Sequence, residues 1–185
     1  QSAFKLGIKW GCGRAGRGSP ARNNTNVLVQ VGCDRAGHPA YTSGAPSMQQ
    51  IVFTRIGGPE VLTLRTAPDP VPQPDQALIR VRVAGVNFAD VLARMGLYPD
   101  APPPPLVLGY EVAGIVEAVG RDVRHVHPGD NVVALTRFGG YSTHLAVAGS
   151  YVFRRPPDLC DADAAAPPVN YLTALLALYK LANVG

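Results

Sequence analysis

The side chains able to do chemistry are few and mostly short: Asn87, Asp90, Tyr98, Tyr110, Glu111, Asn170 and Thr173, with Cys160, His125 and His127 set apart from them. Such a set offers hydrogen-bond donors, acceptors and phenol protons, which suit a place where charge develops on an oxygen. It does not offer nucleophilic catalysis, because Cys160 has no paired histidine and no helix-start environment to lower its pKa. Nor does it offer a metal centre. His125 and His127 are spaced as ligands can be, but no third ligand is evident, so they read as surface histidines. The three cysteines, Cys12, Cys33 and Cys160, lie far apart. They suit a reducing compartment, or none in particular, better than a disulfide scaffold.

The elements that must hold these groups can be read from pattern. Phe88, Val91, Leu92 and Met95 fall at i, i+3, i+4 and i+7, which predicts a short helix with one apolar face. Asn87 stands at its N-cap and Asp90 three residues on, where a carboxylate reaches back to the cap N–H. Asp90 therefore reads as structural. Gly96 is a left-handed C-cap. Pro102 to Pro105 predict an extended, polyproline-like crossing. Val112 to Val119 read as a strand in which Gly114 lets another backbone come close. Glu111, at its start, reads as a buried, hydrogen-bonded carboxylate rather than a general base.

Further strands are expected at Met48–Arg55, Val61–Leu64, Ile79–Val83, Val132–Leu135, Gly139–Val147 and Tyr151–Phe153. A Gly57-Gly58-Pro59 turn joins the first two. Arg80 and Arg82 alternate with apolar residues and read as charges in water. His127-Pro128-Gly129-Asp130 has the proline and glycine of a type II turn. Towards the end, Asp161 reads as the cap of an Ala-rich turn, 162–166, stopped by Pro167-Pro168. Leu172, Leu175, Leu176 and Tyr179 then mark a helix over 169–182. Thr173 on that helix has a bland reading as well, a hydroxyl bonded back to its own backbone. The fold class is mostly β (α+β), a small, partly open barrel with short helices.

The charge excludes some functions. The chain has 185 residues and a net charge of +4. Residues 1–47 hold six Lys/Arg and one acid, Asp34, leaving eleven basic and twelve acidic groups in the rest. The basic balance belongs to a leader read as disordered or non-native, and the remainder has no nucleic-acid footprint. No apolar run is long enough to span a membrane, and no apolar h-region marks a signal peptide. Val27–Val31 is the leader's one candidate strand. Gly11 to Gly16 matches the GxGxxG dinucleotide pattern, but Arg17-Gly18-Ser19-Pro20 cannot supply the helix that must follow, so the match reads as chance. The first residue is Gln1, Met48 is the first methionine, and the chain stops as a helix runs out. Both ends read as cut.

Taken in order, Gly85–Asp90, Gly109–Glu111, Pro128–Asp130 and Pro168–Ala174 resemble the GroES-like catalytic domain of the medium-chain dehydrogenase/reductases. The likeness is to their zinc-independent quinone oxidoreductase branch, and within it to the vesicle amine transport protein subgroup. It runs from about Met48 to Gly185. It implies a leader over 1–47, a GroES-like domain over 48–168, and over 169–185 the helix that leads into a nucleotide-binding Rossmann domain. Zinc-dependent members carry Cys where this chain has Asn87 and His where it has Tyr110. An amide and a phenol cannot replace a thiolate and an imidazole, so no zinc is expected.

The resemblance implies an NADPH-dependent oxidoreductase, with NADH less favoured, passing hydride to a quinone or an α,β-unsaturated carbonyl. Asn87, Thr173 and, more weakly, Asn170 would meet the nicotinamide. Tyr98 would face the substrate or the nicotinamide, and Asn87 would share the catalytic position with it. Quinone reductases often carry a second tyrosine where this chain has Leu92, a departure from a strict quinone assignment. Enoyl-thioester reductase modules share the motifs, and a GroES-like module kept for binding or membrane association is the reading from another class. The expected setting is cytoplasmic, with a small-molecule substrate and homodimerisation through the absent domain.

Overall fold

The computed structural model describes the backbone of residues 27–30, and residues 47–182 and 184 in full. The Gly11–Gly16 match and most of the leader lie outside the described residues. Nine strands are described: β1 (Val27–Gln30), β2 (Ser47–Phe53), β3 (Leu62–Pro68), β4 (Gln76–Val86), β5 (Leu106–Val107), β6 (Glu111–Val119), β7 (Asn131–Leu135), β8 (His144–Ala148) and β9 (Val152–Arg154). The helices are α1 (Phe88–Arg94), α2 (Asp161–Ala165) and α3 (Pro167–Leu176), the last continuing as a wider turn over Ala177–Leu181.

The strands form two antiparallel sheets and no closed barrel. One runs β1-β4-β6-β7-β9, with β8 also on β4; the other runs β3-β2-β5. β4 is the hub. It gives one edge to β6 and the other, in succession, to β8 at Gln76–Arg80 and to β1 at Val83–Val86. Its alternation explains this position: Ile79, Val81 and Val83 are buried, and Arg80 and Arg82 sit between them at the surface. Those arginines are not simply solvated, as the sequence suggested. Arg80 Nε meets Glu117 Oε1 across the β4–β6 pair at 2.8 Å, and Arg82 meets Asp161 Oδ2 at 3.3 Å. Gly114 on β6 lets the β4 backbone come close, since a Cβ there would lie 2.2 Å from Arg80 O. Phe53, Ile79, Val112, Val116, Val126 and Val132 form the middle of the core.

Several boundaries move. The Gly57–Pro59 turn extends into a short 3-10 helix over Pro59–Val61, so the second strand starts at Leu62. Gly139–Thr143 does not join the predicted strand. Instead Gly139, Gly140 and Tyr141 donate in turn to Val107 O, Gly109 O and Leu108 O. The type II turn is closed by Asp130 N–H on His127 O at 3.0 Å. The Pro104–Pro105 peptide is cis, so the proline run is not one continuous polyproline helix. α2 is capped by Cys160, not Asp161: its Sγ accepts from Asp163 N, and Asp161 is left free to pair with Arg82 and Arg155. Pro167 and Pro168 open α3 at its first positions, where a missing N–H costs nothing.

Candidate functional site

The candidate residues meet where α1, the Gly109–Glu111 segment and the start of α3 converge. α1 begins as the sequence predicted. Asp90 Oδ2 accepts from Asn87 N at 2.8 Å, the carboxylate half of a capping box. It ends in a Schellman arrangement. Gly96, at φ +72°, donates to Ala93 O, and Leu97 donates to Leu92 O at 2.8 Å. The face it buries is a surprise. Asp90, Ala93 and Arg94 are buried, and Phe88 and Met95 of the apolar stripe are exposed. The polar side turns inward because each polar group has a backbone partner there. Asp90 Oδ1 accepts from Gly109 N at 2.9 Å, and the Arg94 guanidinium donates to Gly57 O.

Glu111 is the junction of the site and is 1 % exposed. Its Oε1 accepts from Asn87 Nδ2 at 3.0 Å and its Oε2 from Val169 N at 2.8 Å. One carboxylate thus grips the cap of α1 and the first turn of α3. β4 makes room for it at Gly85, where a Cβ would stand 2.3 Å from Oε1. Asn170 follows: its Nδ2 lies 3.5 Å from Asn87 Oδ1 and 3.2 Å from Ala166 O. Thr173, one turn further along α3, is exposed. Among the described residues its hydroxyl makes no hydrogen bond, so it does not bond back to its own helix. The Leu172, Leu175, Leu176 and Tyr179 stripe is exposed as well.

Desolvation raises the pKa of both buried carboxyls. For Asp90 it outweighs the opposing hydrogen bonds from Asn87 and Gly109, and for Glu111 those from Val169 and Asn87. Tyr110 lies between two rings, edge-on to Tyr98 at 6.1 Å and tilted against Phe138 at 5.2 Å. Its hydroxyl is buried beside the Tyr98 phenol, and burial, then that phenol, raise its pKa far above the ordinary value. The Tyr141 hydroxyl is also buried, beside the Asp90 carboxyl, and is held protonated by burial and then by the Asp90 charge. The structure therefore brings Asn87, Asn170 and Glu111 into one bonded group, with Thr173 one turn away and Tyr98 joined to Tyr110. Sequence reasoning missed Phe138, Tyr141 and the Asp90–Gly109 bond. The Gly139-Gly140 pair beside Phe138 and Tyr141 was the one signal, since it marks a close backbone approach.

Two antiparallel sheets with an Asn-capped helix and a second helix joined to it through Glu111 fit a GroES-like domain, and the comparisons agree. The alcohol dehydrogenase GroES-like domain family matches residues 73–157. The synaptic vesicle membrane protein VAT-1 homolog of Rattus norvegicus is 39% identical over 142 residues, 76% of this chain and 35% of that one. The Escherichia coli quinone oxidoreductase complexed with NADPH superposes with a TM-score of 0.66 at 34% identity, covering 71% of this chain and 40% of that one. The CurK enoyl reductase superposes at 0.69 with 29% identity, covering 74% and 44%. The chain belongs to the medium-chain dehydrogenase/reductase superfamily, through its GroES-like domain. Within that superfamily it falls in the quinone oxidoreductase branch, among relatives of the VAT-1 type. It spans about a third of the length of the curated VAT-1 relatives it matches.

Proposed function

We propose that this chain forms the substrate-side wall of an NADPH-dependent, zinc-independent reductase whose acceptor is a quinone or an α,β-unsaturated carbonyl. The observation that supports the reading is the Glu111 junction, which ties the Asn87 amide to the start of α3, with Asn170 beside it and Thr173 three residues further on. These groups fit a nicotinamide carboxamide, which needs both donors and acceptors, and the Thr173 hydroxyl is exposed for such a partner. The cofactor supplies the hydride when bound. Asn87 and Thr173, with Asn170 beside them, orient its ring face. Tyr98, half-buried beside Tyr110, offers a phenol proton to the acceptor oxygen. Asn87 and Tyr110, which stand where zinc-dependent relatives carry ligands, are held by Glu111 and by two aromatic rings.

The full-length protein should oxidise NADPH with a soluble quinone, and residues 1–185 alone should not. Turnover by 1–185 would contradict this division of the cleft. In the full-length protein Tyr98→Phe should slow reduction and leave NADPH affinity within about twofold, because one lost hydrogen bond acts on the reaction and not on cofactor binding. A collapse in affinity would make Tyr98 a binding residue instead.

The likeness to an enoyl reductase favours a second substrate, an α,β-unsaturated thioester. A side-by-side rate comparison decides between the two. If neither is reduced and NADPH does not bind, the domain is a binding module.

A further inference from the structure

The Tyr110 hydroxyl is buried against the Tyr98 phenol. A phenylalanine would fill the same space between Tyr98 and Phe138, so packing alone does not call for the hydroxyl. Its backbone is fixed. Tyr110 O accepts from Thr136 N at 2.7 Å, Gly109 before it donates to Asp90, and Glu111 after it is bonded to both helices. The ring stands edge-on to Tyr98 at 6.1 Å from this fixed backbone.

The polar groups near enough to act on the hydroxyl are Tyr98, Asp90 and Arg137. Arg137 has only donors. Each Asp90 oxygen already accepts a backbone N–H. The Tyr141 hydroxyl also acts on that carboxyl, and the Tyr98 phenol is the side-chain partner that faces Tyr110.

We propose that Tyr110 is a positioning residue: its hydroxyl, set against the Tyr98 phenol, donates to the Tyr98 oxygen and so aims the Tyr98 proton at the acceptor. A phenol that accepts one hydrogen bond donates a stronger one, so the pair is a better donor than Tyr98 alone. This rests on the proposed role of Tyr98 and adds to it a residue in the position where zinc-dependent relatives carry a ligand. No covalent step is involved. Burial, then the Tyr98 phenol, raise the Tyr110 pKa, so the hydroxyl keeps its proton near neutral pH and remains a donor.

The test uses the full-length protein with Tyr110→Phe, Tyr98→Phe and the double variant, with 1,4-naphthoquinone as acceptor. Tyr110→Phe should lower kcat about three- to tenfold, the effect of one hydrogen bond, with KM little changed. In the Tyr98→Phe background the same change should cost nothing more. The thermal midpoint of Tyr110→Phe should be unchanged or higher, a readout independent of turnover. A fall in the midpoint would mean the hydroxyl is structural, and equal losses in both backgrounds would mean it does not act through Tyr98. Either result overturns the proposal. An inert wild-type protein removes the reductase reading and this one with it, whereas an active wild type with additive losses removes this one alone.

Discussion

Two carboxyls do most to define the site, and both are buried. Glu111 has three roles for two oxygens: it binds the Asn87 amide, caps Val169 and fills the space left by Gly85. Glu111→Gln keeps the shape but turns an N–H₂ toward one of two donors. It should cost about 1–3 kcal/mol, read as a lower denaturation midpoint with an unchanged slope. The pH dependence follows from the direction of the shifts. Asp90 and Glu111 are raised from ordinary values of 3.8 and 4.5. The folded state therefore holds their protons to higher pH than the unfolded chain does. Their contribution is complete below about pH 4 and is lost as pH rises through the folded values. Stability attributable to this pair should fall as pH rises from 4 towards neutral, and a melting series on wild type against Glu111→Gln should show the variant with the shallower fall. A steeper one would reverse the sign assigned to Glu111.

At the scale of elements, what could be read in the sequence was local. The Asn87–Asp90 cap, the Gly96 terminus and the His127–Asp130 turn depend on a few adjacent residues, and each forms where the pattern put it. The Glu111 carboxylate, buried and bonded, follows from one charged residue at the start of an apolar strand. The α1 stripe was misjudged for a physical reason. A 3.6 period tells which residues share a side but not which side meets the core, and here Asp90 and Arg94 win the inner side through bonds to distant backbone. Phe138 and Tyr141 were out of reach because they come to the site through a loop rather than a periodic element. The β4–β6 contact gives a test of its own. Gly114→Ala puts a methyl against Arg80 O, a backbone atom that cannot turn away. The loss should be about 1–3 kcal/mol or more, visible as a drop in thermal midpoint.

For the whole molecule, the unusual quantity is apolar surface in one place. Along α3 and the turn after it, Tyr171, Leu172, Leu175, Leu176, Leu178, Tyr179 and Leu181 are all exposed. A patch of this kind promotes association in water. Residues 1–185 alone should sediment faster as concentration rises, and Leu175→Lys with Tyr179→Lys should abolish the trend. Identical sedimentation of the two would show that another surface drives association.

The carboxylate that holds both helices also makes them mechanically one. If α3 swings, Val169 draws Glu111, and Glu111 draws the Asn87 amide with it. A lever built this way would carry movement at the far end of the chain to the face proposed for the nicotinamide.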